Sequence, residues 1–358
     1  MLKKFFKITG LTLIMVILFS LGLNDTASAN QKVIIPDAGL EQAIRAQLRR
    51  PSGSITRSHM SSLTVLNASN KGIANLTGLE HATDLRILNL GNNQISNISV
   101  LRQLKTLREL DLRNNKITDI SPLAGLRNLR SLDLRVNSIK NISPLGNLTS
   151  LELLYLSDNQ IENIAPLSRL YRLTDLGLWN NSIFDLSPLR SCTNLEWLSL
   201  SNNKFSRVNA LADLPKLTYL SVWNNNIQDI SPLGRLTNLK TLDASCTNTD
   251  DLAFLGNMKN LKKLIIWGNK ISDLTPLAKL TKLTCLELEL NEITSIAPLL
   301  RLPKLTTVFI EGNPLDSANR ELIAELEKGK VAIYCDPLPE EAEGEKGETA
   351  KIISITAE

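Results

Sequence analysis

The residues best suited to recognition in this chain are its aromatics, and they are few. Aromatics make up 4% of the 358 residues, and the four tryptophans are Trp179, Trp197, Trp223 and Trp267. Trp179, Trp223 and Trp267 stand multiples of 22 residues apart, and Trp197 and Tyr219 stand 22 apart. An indole or phenol ring joins a broad apolar face to one hydrogen-bonding edge, which is the chemistry of binding hot spots. Catalytic chemistry finds no comparable set. His59 and His81 are the only histidines and lie far from the aromatics in the chain. No G-x-S-x-G, H-E-x-x-H or phosphate loop occurs. Cys192, Cys246, Cys285 and Cys335 have no histidine partner that would activate a thiol. No calcium-loop spacing of acids is present. The expectation is therefore a binding protein that is not an enzyme, with no cofactor and no metal.

What positions the aromatics is a 22-residue repeat. Leu85, Leu88, Leu90, Asn93 and Ile95 make one copy of L-x-x-L-x-L-x-x-N-x-I, and Leu107, Leu110, Leu112, Asn115 and Ile117 make the next. The Asn column continues as Asn137, Asn159, Asn181, Asn203, Asn225, Thr247, Asn269, Asn291 and Asn313. The x-L-x-L stretch alternates as a short strand must. One such coil cannot bury its inward leucines, so stability has to come from stacked neighbours. An inward Asn carries a carbonyl acceptor and two N–H donors, enough to pair backbone groups of its own and the adjacent coil. The Asn columns are expected to form a ladder.

The return path repeats as well, as Asp119-Ile120-Ser121-Pro122-Leu123, Asn141-Ile142-Ser143-Pro144-Leu145 and Asp229-Ile230-Ser231-Pro232-Leu233. Ser suits an N-cap and Pro the first helical position, and so short a path fits a 3₁₀ turn better than an α-helix. Parallel strands on the inner face and 3₁₀ turns on the outer face follow. At the spacing between neighbouring strands the stack reaches about 50 Å.

Such a stack needs capped ends. Residues 30–75 read as a helical N-terminal cap with a degenerate first coil: Asp37 opens a helix with Leu40, Ile44 and Leu48 on one face, Pro51-Ser52-Gly53 breaks it, and Lys71 occupies the Asn column. Residues 76–315 hold the regular coils. Residues 316–335 read as a C-terminal cap, a helix over 317–328 followed by a strand over 331–334. The coil from Leu239 to Asn260 departs from the pattern at Ala244, Thr247, Thr249 and Phe254, which predicts a bend, a contact or tolerated drift.

The two ends stand apart in composition. In residues 1–29, Lys3, Lys4 and Lys7 precede an apolar run from Ile8 to Leu23 and the small residues Ala27-Ser28-Ala29. That is the pattern of a signal peptide cleaved near Ala29, with an uncleaved membrane anchor as the other reading. Cleavage predicts a secreted protein with no stable membrane insertion. Residues 336–358 carry a net charge of −5 and read as a disordered acidic tail. The body over 30–335 carries +7, a mild balance over that length that does not call for nucleic acid. The cysteines are too sparse for a disulfide framework and are expected to be free, partly buried thiols.

The 22-residue coil with N-x-I-x-x-I-S-P-L, over about residues 33–335 and with a helical N-terminal cap, resembles the leucine-rich repeats of bacterial internalins and related exported proteins. The resemblance implies a right-handed leucine-rich-repeat superhelix, an α/β solenoid with a concave parallel β-sheet, convex 3₁₀ turns and capped ends. It also implies a monomer that recognises a protein partner. Internalins often continue into an immunoglobulin-like module and a wall-attachment signal; no L-P-x-T-G appears in this sequence.

Within each strand, three positions face out onto the concave sheet. The first column holds Asp175, Trp197 and Tyr219, the second Asp111, Asp133, Tyr155, Glu287 and Phe309, and the third Arg113, Arg135, Trp179, Trp223, Trp267, Glu289 and Glu311. All four tryptophans fall in these columns, together with Tyr155, Tyr219 and Phe309. Strand preference accounts for aromatics in strands but not for their absence from the buried columns. The acids near Glu287 are either an attraction for a cation or basic partner, or a solvated ion-pair lattice. Three readings of the face remain: protein recognition, glycan binding with Asp175, Asn180, Asn202 and Asn224 as polar partners, or a passive spacer.

Overall fold

The computed structural model describes residues 29–338. Residues 1–28 of the leader and 339–358 of the acidic tail lie outside the described residues. The described chain forms one 13-stranded parallel sheet whose strands follow sequence order, β1 (Val65–Asn67), β2 (Ile87–Asn89) and so on to β12 (Thr307–Phe309) and β13 (Ala332–Tyr334). Each strand is three residues long, and successive strands pair in a register of 22 residues, as in Leu110 with Leu132 and Leu132 with Leu154. The solenoid expected from the repeat is the fold observed.

The core is the stacked leucine columns. In one coil Leu129, Leu132, Leu134, Ile139, Ile142, Leu145 and Leu148 are each at most 1% exposed. Each such side chain removed from water stabilises by roughly 1.5–3 kcal/mol, but only because the coils above and below cover it. The cluster runs unbroken from Val33 to Val331.

The outer turns are 3₁₀, for example Ser121–Leu123 and Ser143–Asn147, with Pro in their first two positions. Their capping differs from the sequence expectation. Ser121 lies inside the turn and makes no cap; the Asp119 carboxylate accepts from the Ser121 N–H at 2.8 Å. Asn141, Asp185, Asp229 and Asp273 accept in the same way from the residue two positions on. The reason is geometric: an Asx side chain closes its own turn two residues ahead, and the tight path leaves Ser no orphan amide to reach.

Both ends are covered. At the N-terminal end α1 (Ala38–Leu48) packs on β1 and buries Leu40 and Ile44, and α2 (Arg57–Ser61) packs on the 3₁₀ turn Leu79–His81. Asp37 caps α1 through the Leu40 amide at 3.1 Å, and its second oxygen accepts from Ala74 and Asn75 at 2.9 and 3.1 Å. One carboxylate therefore ties the cap to the first coil. At the other end α3 (Asn319–Lys328) packs on β13. The register from β12 to β13 is 25 residues, Thr307 with Ala332, which makes room for α3.

The irregular coil keeps its register, so the sheet continues through it. Its substitutions compensate one another. Thr247 Oγ donates to Ala244 O at 2.7 Å and sits 2.8 Å from Thr249 Oγ, both threonines buried. The Thr249 amide still donates to Asn269 Oδ1 at 2.9 Å.

Candidate functional site

The floor beneath the concave face is set by the Asn ladder. Asn93 donates through Nδ2 to Ala68 O and Leu90 O and accepts on Oδ1 from the Ile73 amide. The same pattern recurs at Asn115, Asn137, Asn159, Asn181, Asn203, Asn269, Asn291 and Asn313, with lengths of 2.9–3.1 Å. Asn225 is the exception. It donates to Leu200 O and Val222 O, yet its buried Oδ1 has no partner. One coil earlier Phe205 stands where its neighbours carry the Ile whose amide fills that place, and this bulkier ring is wholly buried.

On this floor the strand side chains turn alternately in and out, and the aromatics occupy the outward side. They gather into three groups. Tyr155 and Trp197 meet edge to face at 6.3 Å between ring centroids, and Trp197 stacks on Tyr219 at 5.2 Å and 12°. Gly177 makes this run possible: a Cβ there would stand 3.2 Å from Tyr155 Cδ1 and 3.6 Å from Trp197 Cζ3. Trp223 and Trp267 form a separate tilted pair at 6.2 Å. The Trp223 Nε1 is buried and meets no oxygen acceptor, facing the Cys246 thiol instead. Phe309 joins neither group and stacks on Tyr334 at 4.6 Å and 10°. Trp179 stands among none of these pairs and is 37% exposed.

The charges sort along the face. Near the N-terminal end Arg135 grips the Asp133 carboxylate through Nε and a terminal nitrogen and lies 5.2 Å over the Tyr155 ring. That hydrogen bond with Asp133 holds the guanidinium above its ordinary pKa. Arg113 Nε lies 3.4 Å from Asp111, whose carboxyl is pushed up by burial and by Asp133 beside it. Burial also raises the phenols of Tyr155 and Tyr219, so both stay neutral donors at neutral pH. Near the other end Lys263 pairs with Glu287 at 2.7 Å. Glu289 is raised by burial and then by Glu287 and Glu311, and one of its oxygens is buried without a partner.

The polar residues considered for a glycan are engaged with one another. Asn180 donates to Asp158 at 2.7 Å, Asn202 to Asn180 at 2.6 Å and Asn224 to Asn202 at 2.7 Å. Asp175 accepts from Thr174 Oγ at 2.7 Å.

Sequence reasoning missed three features of the face. Tyr334 escaped because the last coil is longer than 22 residues. Ser201, Ser221 and Asp243 form a hydrogen-bonded row under the tryptophans, with 2.5 Å between the two hydroxyls and 2.8 Å from Ser221 to Asp243. Val136 sits at the turn beside Arg135 with φ +54°; the one available signal was a Val in a column mostly of Asn, Asp and Gly. The cysteines are all free, and burial pushes the Cys192 thiol up to about 11.

A family model of leucine-rich repeats, in two copies, matches residues 61–103, 105–147, 127–169, 193–235, 215–257 and 259–300. Among solved structures, an internalin (inlF) from Listeria monocytogenes is 34% identical over 85% of this chain and 92% of its own, with a TM-score of 0.81. An internalin C2 (inlC2) from the same species is 31% identical over 71% of this chain and 94% of its own, with a TM-score of 0.50. A plant peptide hormone receptor, RGFR1 in complex with RGF2, is 23% identical over 79% of this chain and 54% of its own, with a TM-score of 0.63, a likeness of fold alone. No curated protein matches by sequence.

Proposed function

The chain belongs to the internalin-like leucine-rich-repeat proteins, and on that premise we propose that it is an exported, non-enzymatic protein that binds a protein partner across its concave face. One observation carries this reading. All four tryptophans stand on the solvent side of the sheet, away from the leucine columns, and three of them are backed by stacked or edge-packed tyrosines or by each other. Large aromatic surface held rigid before binding loses little conformational freedom on contact, which favours affinity. Tyr155, Trp179, Trp197, Tyr219, Trp223 and Trp267 are the anchors of the contact, Arg113, Arg135 and Asp175 set its polar edge, and Phe309 marks its far end.

The commitment of Asn180, Asn202 and Asn224 to one another favours a protein over a sugar, whose hydroxyls need free donors and acceptors beside the ring. A plant receptor of the same fold has been seen in complex with RGF2. No helix among the described residues is long and apolar enough to cross a membrane; secretion rests on the leader sequence. Tryptophan fluorescence titrated with cell-wall glycan fragments separates the two readings. No saturable response is expected, and one that disappears in Trp179→Ala and Trp223→Ala would replace the protein reading with the glycan one.

A further inference from the structure

Successive coils pass through one left-handed residue just after the strand, and most fill it with a residue suited to that backbone. Asn92, Asn114, Asp158, Asn180, Asn202 and Asn224 have φ between 51° and 58°, and Gly268 and Gly312 occupy the same column. Asn, Asp and Gly accept this conformation readily. Val136, Cys246 and Leu290, at φ 54°, 50° and 53°, stand in the column without that freedom, and Val136 is the least suited of the three because a β-branched residue at positive φ is an outlier. It also interrupts the side-chain chain that links Asn114 to Asn92 on one side and Asn180 to Asp158 on the other. It gains no burial in exchange, being 47% exposed. A strained, exposed, apolar residue is disadvantageous for folding, and strain of this kind is kept where contact with another molecule uses it.

Val136 lies in a cavity of about 570 Å³ open to the concave face, bounded by Arg113, Asn114, Arg135, Trp179 and Trp197. Val136 and the two indoles supply its apolar lining. Arg113 and Arg135 border it with charges already compensated by Asp111 and Asp133, so they offer planar faces and N–H edges in place of an open positive field. Asn92, Asn114, Ser157, Asp158 and Ser199 supply its uncharged and acidic polar lining. A ring with a single hydroxyl matches this lining: indoles to stack on, guanidinium faces, and polar groups for the hydroxyl.

We propose that this cavity is the anchor pocket of the concave face and takes a tyrosine side chain of the partner, an inference that rests on the protein-binding reading above. A carboxylate is disfavoured by Asp158 and by the compensated guanidiniums, and a sugar by the aliphatic Val136 side chain.

The test uses the full chain labelled with 5-fluorotryptophan, its four resonances assigned by single Trp→Phe variants, and N-acetyl-tyrosinamide as the probe in ¹⁹F NMR. The Trp179 and Trp197 resonances should shift saturably while those of Trp223 and Trp267 stay still. Val136→Asn restores the residue that neighbouring coils carry, so its melting temperature should equal or exceed that of the parent while its affinity for the probe falls at least about fivefold. Trp179→Ala, truncating an exposed ring, should weaken the Trp197 response equally. The proposal is overturned if no saturable shift occurs, if all four resonances shift together, if Val136→Asn binds the probe as the parent does, or if methyl β-glucopyranoside produces the same shifts. Any of those results would leave the broader reading standing, since that reading is judged by partner capture with the aromatics removed.

Discussion

Asn181→Ala isolates what one rung of the ladder contributes. Asn181 is 9% exposed; its Nδ2 donates to Leu156 O and Leu178 O at 3.1 Å and its Oδ1 accepts from the Ile161 amide at 2.9 Å. The two carbonyls survive the loss, because Asn159 also donates to Leu156 O and Asn203 to Leu178 O. The Ile161 amide has no second acceptor. A buried orphan donor costs about 1–3 kcal/mol and truncating a packed side chain about 1 kcal/mol more, giving roughly 2–4 kcal/mol in all. Asn225→Ala is the matched control. Its Oδ1 already lacks a donor, so the substitution orphans no amide and removes an existing unpaired acceptor, leaving Val222 O as the only group that loses its donor. The expected cost is lower, about 1–2 kcal/mol. Urea unfolding followed together by far-UV circular dichroism and fluorescence supplies both values. Equal costs, or a larger cost at Asn225, would refute the assignment of the penalty to the orphaned amide.

Asp37→Ala should loosen the N-terminal cap, costing about 1–2 kcal/mol for the lost helix cap and its two further amides, read as faster proteolysis within α1. Four backbone N–H groups outweigh burial and hold the Asp37 carboxyl below its ordinary value. Its contribution is thus complete above the unfolded pKa and lost as pH falls through the lower folded one, so parent and variant should converge in acid. Cys192 is fully buried with its pKa near 11, which leaves about one thiol in a thousand ionised at pH 8; an aromatic disulfide reagent should label the other three cysteines well before Cys192 unless urea is added. Glu289→Gln should stabilise modestly at pH 7, by under about 1 kcal/mol, since the side chain is only partly buried and solvent screens much of the repulsion from Glu287 and Glu311. The folded carboxyl is raised, so the parent is relatively more stable at low pH and loses that advantage as pH rises; the gain from Gln should shrink below pH 5 in paired thermal melts.

The solenoid was legible because each coil meets the same physical demand, burying Leu110 or Leu132 against a neighbour that carries the same residue. The Asn column was legible for a related reason, since an amide is the side chain that serves backbone donors and acceptors at once. Other features depend on conformation that letters do not display. Nothing in the spelling of Val136 reveals φ +54°, and the unpaired Oδ1 of Asn225 follows from the bulk of Phe205 one coil away. Ser121 looked like a cap, but the tight turn gave that work to Asp119. Tyr334 joined Phe309 only because α3 lengthened the final coil to 25 residues. The outward columns located the aromatics but not their grouping, which depends on the space left by Gly177.

The central claim, that the concave aromatics bind a protein, is tested most directly by affinity capture from culture with the parent chain and a variant carrying Trp179→Ala, Trp197→Ala, Trp223→Ala and Trp267→Ala, both shown to be folded by matching circular dichroism. A single protein retained by the parent at stoichiometric yield and lost from the variant, with its affinity reduced at least about a hundredfold in direct titration of the purified pair, is the predicted result. Equal retention of that protein by both chains would contradict the account.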